Sequence, residues 1–306
     1  MACVCKKEYR LMFVTPFSIC FDVSIQNELT FDNYFISFSY IPSLEIVKIN
    51  FSCGGITFSK HIMENTIIKV NAMLIFMYTQ QTLLDSQTKD SNCIPYNTIH
   101  LPTHNCIEDV IFRGKPAVRK TCFNYQIPLV LYMQLNEIYL LRTLQDANIV
   151  SLIDDYIIGY NPCLLLEKGI PMKTFMIKVA YQLENSYYER ICLEILRQVS
   201  NALGYLHRSN VLHTDIRIEH LILVGNVVKV IDFSNAIAIE HEKREEIFNE
   251  QDNRSPEEYK NMIMTQKTDV WQLGIMAFGM IRKNQIDSSV LRLMYLSDFY
   301  VSFQRP

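Results

Sequence analysis

The segment Val211–Ser234 constrains this chain more than any other part of it. It reads Val211-Leu212-His213-Thr214-Asp215-Ile216-Arg217-Ile218-Glu219-His220-Leu221-Ile222-Leu223, and then Val228-Lys229-Val230-Ile231-Asp232-Phe233-Ser234. The two apolar runs flank Gly225-Asn226, the composition of a tight hairpin turn. A hairpin that short brings the carboxylates at its ends, Asp215 and Asp232, to one place. Either aspartate alone reads equally well as a solvated surface group. Together they suit phosphoryl transfer, which needs one carboxylate near the accepting hydroxyl and another holding the metal that neutralises the phosphates.

The remaining sequence supports a large, ordered body around that segment. Hydrophobic residues make up 49% of the 306 and charged residues 20%, enough for a sizeable core. A net charge of −3 with no basic block argues against a nucleic-acid partner. Leu11–Cys20 is apolar, but Pro16 interrupts it and no small-residue cleavage site follows cleanly, so a secretory signal is not expected; Ala72–Tyr78 and Val270–Ile281 are too short to span a membrane. An intracellular protein, cytoplasmic or nuclear, is expected. The nine cysteines are odd in number and irregularly spaced, so reduced thiols are expected in place of a zinc site or disulfide framework.

Residues up to about 84 alternate Phe, Ile, Tyr and Val in short runs, a strand pattern. Cys53-Gly54-Gly55 reads as a hairpin turn between Ile46–Phe51 and Ile56–Phe58. The polar run Asp85–Asn92 reads as a linker or exposed loop. A second hairpin turns at Arg113-Gly114-Lys115-Pro116, between Val110–Phe112 and Ala117–Cys122. Leu131, Leu135, Ile138, Leu141 and Leu144 then recur at helical spacing, and short strands are expected at Ile149–Ile153 and Cys163–Leu166. Beyond Glu167 helices dominate, with Ile195, Val199, Ala202 and Leu206 on one face.

The two aspartate segments resemble the catalytic loop and the Asp-Phe-Gly segment of protein kinases. Order along the chain strengthens the resemblance. Asn136-Glu137-Ile138, followed by Asn148–Leu152, is similar to the regulatory helix and the strand after it. Ser255-Pro256-Glu257 is similar to the Ala-Pro-Glu that closes an activation segment, and Asp269 with Val270-Trp271-Gln272-Leu273-Gly274 to the start of the buried central helix. The chain is thereby identified as a divergent, shortened member of the Ser/Thr-type protein kinase superfamily, its loose motifs similar to kinase-like proteins of large DNA viruses. The resemblance implies an α+β, two-lobed fold: a β-rich N-lobe over 95–167, a shortened, mainly helical C-lobe over 168–306, and an extra β-rich region over 1–94 of unassigned role.

It also implies ATP with Mg2+ or Mn2+, and a protein substrate or protein binding partner. Asp215 is implied as the base and Arg217 as a cation on the transferred phosphate. Asp232 and His220 are implied on the metal, with Val110, Lys120, Glu137, Leu166 and Glu167 around the nucleotide. Leu141, Leu152, His213 and Phe233 match the apolar column of the family, anchored at Asp269, and Arg305 matches the partner of Glu257.

Several positions depart from the family pattern. The phosphate-gripping turn has Thr103, Asn105 and Glu108 at its glycine positions, and a carboxylate at Glu108 facing ATP phosphates is repulsive. The phosphate-binding lysine has two candidate registers, Arg119 and Lys120. Lys120 is preferred because Val118 then faces adenine and Arg119 faces solvent. His220 replaces the asparagine that binds a second metal, and imidazole suits softer metals than magnesium. Thr214 replaces the arginine that grips a phosphorylated loop. The loop Asn235–Arg254 holds no Ser, Thr or Tyr and carries Glu240, Glu242, Glu245, Glu246 and Glu250 instead, so a phosphate switch there is not expected. Glu250 also takes the place of a threonine kept beside the catalytic aspartate. Two readings follow: a divergent Ser/Thr protein kinase with weak or atypical activity, or a pseudokinase that binds partners without phosphotransfer.

Overall fold

Alternating burial along β-strands organises the first of two units into which the chain divides, residues 1–143 with 152–168. The computed structural model describes residues 8–25, 28–41, 43–100, 105–122, 124–238, 255–261 and 264–281. Strands β1 (Arg10–Val14), β2 (Ile19–Ser24), β3 (Leu29–Phe31), β4 (Tyr34–Ile41), β5 (Ile46–Cys53), β6 (Ile56–Met63), β7 (Thr66–Val70) and β8 (Met73–Tyr78) make two antiparallel sheets, ordered β2-β1-β8-β7 and β3-β4-β5-β6. Leu11, Phe13, Ile75 and Met77 from one sheet meet Ile36, Val47, Ile49 and Phe51 from the other in a single apolar core. The β5–β6 turn is Gly54-Gly55, both at positive φ, as a two-residue hairpin loop requires.

Helix α1 (Gln80–Ser91) overturns the linker expected over Asp85–Asn92. The Thr79 side chain accepts the Thr82 N–H at 3.1 Å, and the Thr82 hydroxyl accepts the Thr79 N–H at 3.1 Å. This reciprocal cap starts the helix despite its polar composition. The unit continues through β9 (Cys93–His100), β10 (Asn105–Phe112), β11 (Lys115–Cys122), α2 (Pro128–Thr143), β12 (Leu152–Ile158) and β13 (Asn161–Glu167). These strands form one antiparallel sheet, ordered β12-β13-β11-β10-β9. The strand expected at Ile149–Ile153 starts only at Leu152. Ile149 instead bridges Val230 in the second unit.

The second unit, residues 144–151 with 169–306, is mainly helical in its described residues. It contains β14 (Ile170–Pro171), α3 (Met172–Gln182), α4 (Asn185–Arg208), β15 (Val211–Leu212), β16 (Leu221–Val224), β17 (Val227–Val230), β18 (Ile237–Ala238), α5 (Pro256–Asn261) and α6 (Gln266–Ile281). Helix α4 buries Ile195, Val199, Ala202 and Leu206, the stripe its sequence shows. Gly169 passes so close to β16 that a Cβ there would lie 2.9 Å from the Leu223 carbonyl oxygen. The fold is the α+β, kinase-like one expected, with the β-rich N-terminal region added. Arg305, Glu240, Glu242, Glu245, Glu246, Glu250 and the stretch after Ile281 lie outside the described residues. Among the described residues, no helix is long and apolar enough to cross a membrane, and Cys20, Cys53, Cys93, Cys106, Cys163 and Cys192 are free thiols.

Candidate active site

In the first unit the pleat of β11 sorts the two candidate cations. Lys120 stands directly across from Ile107 on β10 and from Leu164 on β13, and it shares a face with Val118. On that face its Nζ lies 2.7 Å from Glu137 Oε2 of α2, with only 7% and 0% of the two side chains exposed. Gln134, one turn earlier on α2, donates to the Lys120 carbonyl at 3.3 Å. Arg119 points to the other face. It donates from Nε to Glu108 Oε2 at 2.8 Å and pairs with Asp90 near the end of α1. Burial opposes the charge on Arg119, but bonds with Tyr156 and Glu108 more than offset it and its pKa rises.

That arrangement corrects two expectations. Arg119 is a half-buried staple between α1 and the sheet, not a solvent-facing cation. Glu108, directly across from Arg119, lies on the face away from Lys120, so its charge is met by a guanidinium there. Val110 shares that far face. It is fully buried in a cluster with Cys93, Phe112, Ala117, Tyr156 and Cys163. The structure therefore does not bring Val110 to Lys120; Ile107 holds the place opposite the lysine. The sequence contains the signal for this, because a two-residue turn at Arg113-Gly114 pairs Phe112 with Lys115 and, counting back, Ile107 with Lys120. Leu166 lies across from Val118 on the Lys120 face, while Glu167 lies across from Ala117. Just beyond, Lys168 Nζ bonds Asp109 Oδ2 at 2.9 Å and the Tyr96 hydroxyl at 2.6 Å. Burial opposes ionisation of Asp109, but Lys168 and Asn97 outweigh it and hold that carboxyl below its ordinary value.

In the second unit one buried carboxylate organises the loop after β15. Asp269, at the start of α6, accepts the N–H groups of His213 at 3.1 Å and Thr214 at 2.8 Å, and its Oδ2 lies 2.8 Å from His207 Nε2. Gln272, one turn on along α6, accepts the Ile216 N–H at 2.8 Å and donates to the Thr214 carbonyl at 2.7 Å. Gln272 went unrecognised in the sequence; its spacing of three from Asp269, on the same helix face, is the available signal. These bonds hold Thr214 at φ 67, a left-handed conformation that a β-branched residue rarely adopts. Asp232 sits at φ 66. Strain of this kind concentrates at functional sites.

The loop brings Asp215, His220 and Asp232 together. His220 Nδ1 lies 2.9 Å from the Asp215 carbonyl oxygen, which only accepts, so Nδ1 carries hydrogen. The same nitrogen is 3.3 Å from Asp215 Oδ2, and Nε2 is 3.5 Å from Asp232 Oδ2. Ser234 donates to Asp232 Oδ1 at 2.7 Å. Asp215 is 5% exposed, and its Oδ1 has no hydrogen-bond partner among the described residues. His213 donates from Nε2 to the Ile231 carbonyl at 3.0 Å, accepts the Asp215 N–H at 3.3 Å and meets the Phe233 ring at 5.0 Å. Burial pushes the His213 imidazole below its ordinary pKa and favours the neutral form. Arg217 turns to Glu219 at 3.3 Å, which Lys173 also engages. No group of three or more His, Cys, Asp or Glu forms a metal cage among the described residues.

Comparison with known proteins agrees with this geometry. The family model for the protein kinase domain matches residues 115–291, more than half of the chain. Serine/threonine-protein kinase CLA4 of Candida albicans is 29% identical over 171 residues, which is 53% of this chain and 17% of that protein. Serine/threonine-protein kinase pak-1 of Caenorhabditis elegans is 29% identical over 167 residues, 53% of this chain and 28% of its own length. Serine/threonine-protein kinase PAK 1 of Mus musculus is 28% identical over 167 residues and is covered to 30%. The chain thus spans less than a third of each of these relatives.

Proposed function

The chain belongs to the protein kinase domain family, and from that premise we propose that it transfers the γ-phosphate of ATP to a serine or threonine hydroxyl of a protein. The observation that carries this reading is Asp215, a carboxylate buried to 5% exposure whose Oδ1 has no partner among the described residues. Buried polar atoms are seldom left unsatisfied, and an orphaned acceptor at a strained loop fits one that takes a proton from a bound hydroxyl. In the transfer the bond from γ-phosphorus to the β-phosphate oxygen breaks, a bond to the hydroxyl oxygen forms, and the hydroxyl proton passes to Asp215. The buried Lys120–Glu137 pair supports the same reading. Desolvating two charges costs several kcal/mol per ion, about what an apolar pair would avoid, so stability alone does not account for it.

Lys120 would hold the phosphates, kept in place by Glu137. Ile107, Val118 and Leu166, which share its face of the sheet, would supply the apolar contact first assigned to Val110, and Glu167 would contribute through its backbone. Arg217 would meet the transferred phosphate on leaving Glu219. Asp232 and His220 fit a divalent cation: Nδ1 is taken up by the Asp215 carbonyl, which leaves Nε2, beside Asp232 Oδ2, as the nitrogen that would meet the ion. Such a cation, when bound, neutralises phosphate charge. A nitrogen donor beside one carboxylate favours manganese over magnesium.

The pseudokinase reading is favoured by a specific observation, the lack of any glycine between Gly55 and Gly114, where a phosphate-gripping turn needs one. Phosphate transfer from ATP to a serine/threonine peptide mixture, measured with Mn2+ and with Mg2+, tests the proposal. Asp215→Asn should lower transfer by about 100-fold or more while nucleotide binding persists. Undiminished transfer in that variant would remove Asp215 from its role. No transfer by the wild-type chain, with either metal, would leave the pseudokinase reading.

A further inference from the structure

We infer that β1, β7 and β8 of the N-terminal region are a built-in holder for α2, with Lys69 and Arg142 as positioning residues that keep Glu137 on Lys120. The functional part of this inference rests on the kinase reading above; the structural part does not.

Helix α2 has no free side. Gln134, Leu135, Asn136, Glu137 and Ile138 are consecutive and all buried, more than one full turn. One side packs on β11, β12 and β13, and β1, β7 and β8 also pack against the helix. Both faces of β1 and β8 are spent accordingly. Leu11, Phe13, Ile75 and Met77 enter the core between the two N-terminal sheets, and Met12, Val14, Leu74 and Phe76 on the opposite face are equally buried.

Polar bonds fix the helix along and around its axis. Lys69 of β7 donates to Asn136 Oδ1 at 3.0 Å and lies 5.8 Å from the Tyr132 ring centre. Asn136 is the residue before Glu137, so this bond acts one position from the carboxylate that meets Lys120. At the C-terminal end, Arg142 donates to the Asn65 carbonyl in the β6–β7 turn at 3.1 Å, and from Nε to Asp155 Oδ1 of β12 at 2.9 Å. Ahead of the N-terminal end, Tyr125 packs with Phe21 of β2 and Tyr160, their rings 5.6–6.0 Å from that of Tyr125. The Tyr160 hydroxyl also bonds Asp22.

Kinases depend on the placement of this helix, and phosphorylation of the activation loop is one means of controlling it. The loop Asn235–Arg254 has no hydroxyl to phosphorylate. The holder supplies in place of that switch a permanent bond set to the N-terminal region, so the Lys120–Glu137 pair is made without modification.

Hydrogen–deuterium exchange on the full chain tests this in Lys69→Met, Lys69→Arg and Arg142→Gln. Lys69→Met should speed exchange over residues 128–143 about tenfold while β3 to β6 stay protected, since local opening follows local bonding. Lys69→Arg, which keeps a donor, should behave as wild type. Arg142→Gln should speed exchange at the C-terminal end of the same helix. Unchanged exchange in 128–143 in both loss variants overturns the inference. So does a uniform rise that includes β3 to β6, which marks loss of the whole fold. The ATP-induced rise in melting temperature, measured alongside, should shrink in Lys69→Met. If the wild-type chain shows no such rise, the kinase reading fails, and exchange alone still decides whether α2 is held.

Discussion

Arg119 and Lys120 are neighbours on β11, and the strand's pleat sends them to opposite faces with different surroundings. Arg119 meets two carboxylates from two elements, Glu108 on β10 and Asp90 on α1, above a packed apolar cluster that includes Val110 and Tyr156. Everything around it is explained by joining α1 to the sheet. Lys120 meets a carboxylate on α2, a helix that packs on β1, β7 and β8 of one N-terminal sheet as well as on β11, β12 and β13. Its neighbours on that face, Ile107 of β10 and Val118 of β11, are only half-buried. Two cations of like charge therefore take different places: Arg119 fastens α1 to the sheet, and Lys120 pairs with α2 on the face where the nucleotide is proposed to bind. What distinguishes them is whether the surrounding apolar surface is already closed.

The largest effect should come from removing each cation in turn. Lys120→Met takes the ammonium away from the fully buried Glu137, which costs about 3–5 kcal/mol of stability. It should also abolish the rise in melting temperature with ATP and Mn2+. Arg119→Met strands carboxylates that are 14% and 33% exposed and so keep some access to water. The loss there should be smaller, about 1–3 kcal/mol, with the ATP response retained. Urea titrations with and without nucleotide measure both. An ATP response that survives Lys120→Met and vanishes in Arg119→Met would reverse the two roles.

The division was partly legible in the sequence. Strand alternation is enough to put Lys120 and Val118 on one face, and the glycine turns at Gly54-Gly55 and Arg113-Gly114 set both hairpins. The carboxylates Asp215 and Asp232 were legible because their chemistry recurs in one short hairpin. The fate of Arg119 was not. It depends on Asp90, which arrives on a helix whose composition is polar and whose start is set by a threonine pair, a weaker sign than a Glu-bearing capping box. The bonding of His220 to the Asp215 carbonyl was also beyond reach, since it depends on loop geometry imposed by Asp269 and Gln272.

A smaller effect separates two apolar residues on β10. Val110 is fully buried on the Arg119 face, and Val110→Ala should remove about 2 kcal/mol of stability with no change in nucleotide response. Ile107 stands opposite Lys120, and Ile107→Ala should lower the ATP-induced rise with a lesser loss of stability. Paired thermal melts resolve the two. Nucleotide dependence at Val110 and none at Ile107 would mean that the register of β10 is one residue off.

The smallest effect is the most discriminating, because the two placements of Glu108 give different outcomes. If its carboxylate faced ATP phosphates, Glu108→Gln would relieve like-charge repulsion and strengthen nucleotide binding, by about tenfold for 1.4 kcal/mol relieved. In the structure Glu108 lies across from Arg119, at 2.8 Å from its Nε, on the face away from Lys120. Neutralising it should leave nucleotide affinity within about twofold and weaken only the charge-assisted bond to Arg119, roughly 1–2 kcal/mol of stability. Calorimetric titration of ATP with Mn2+ into the two proteins distinguishes the outcomes. A clear gain in affinity would return Glu108 to the phosphate face and undo the assignment of Arg119 as a fastening. No gain would keep Glu108 on the Arg119 face, as the bond to the Arg119 Nε requires.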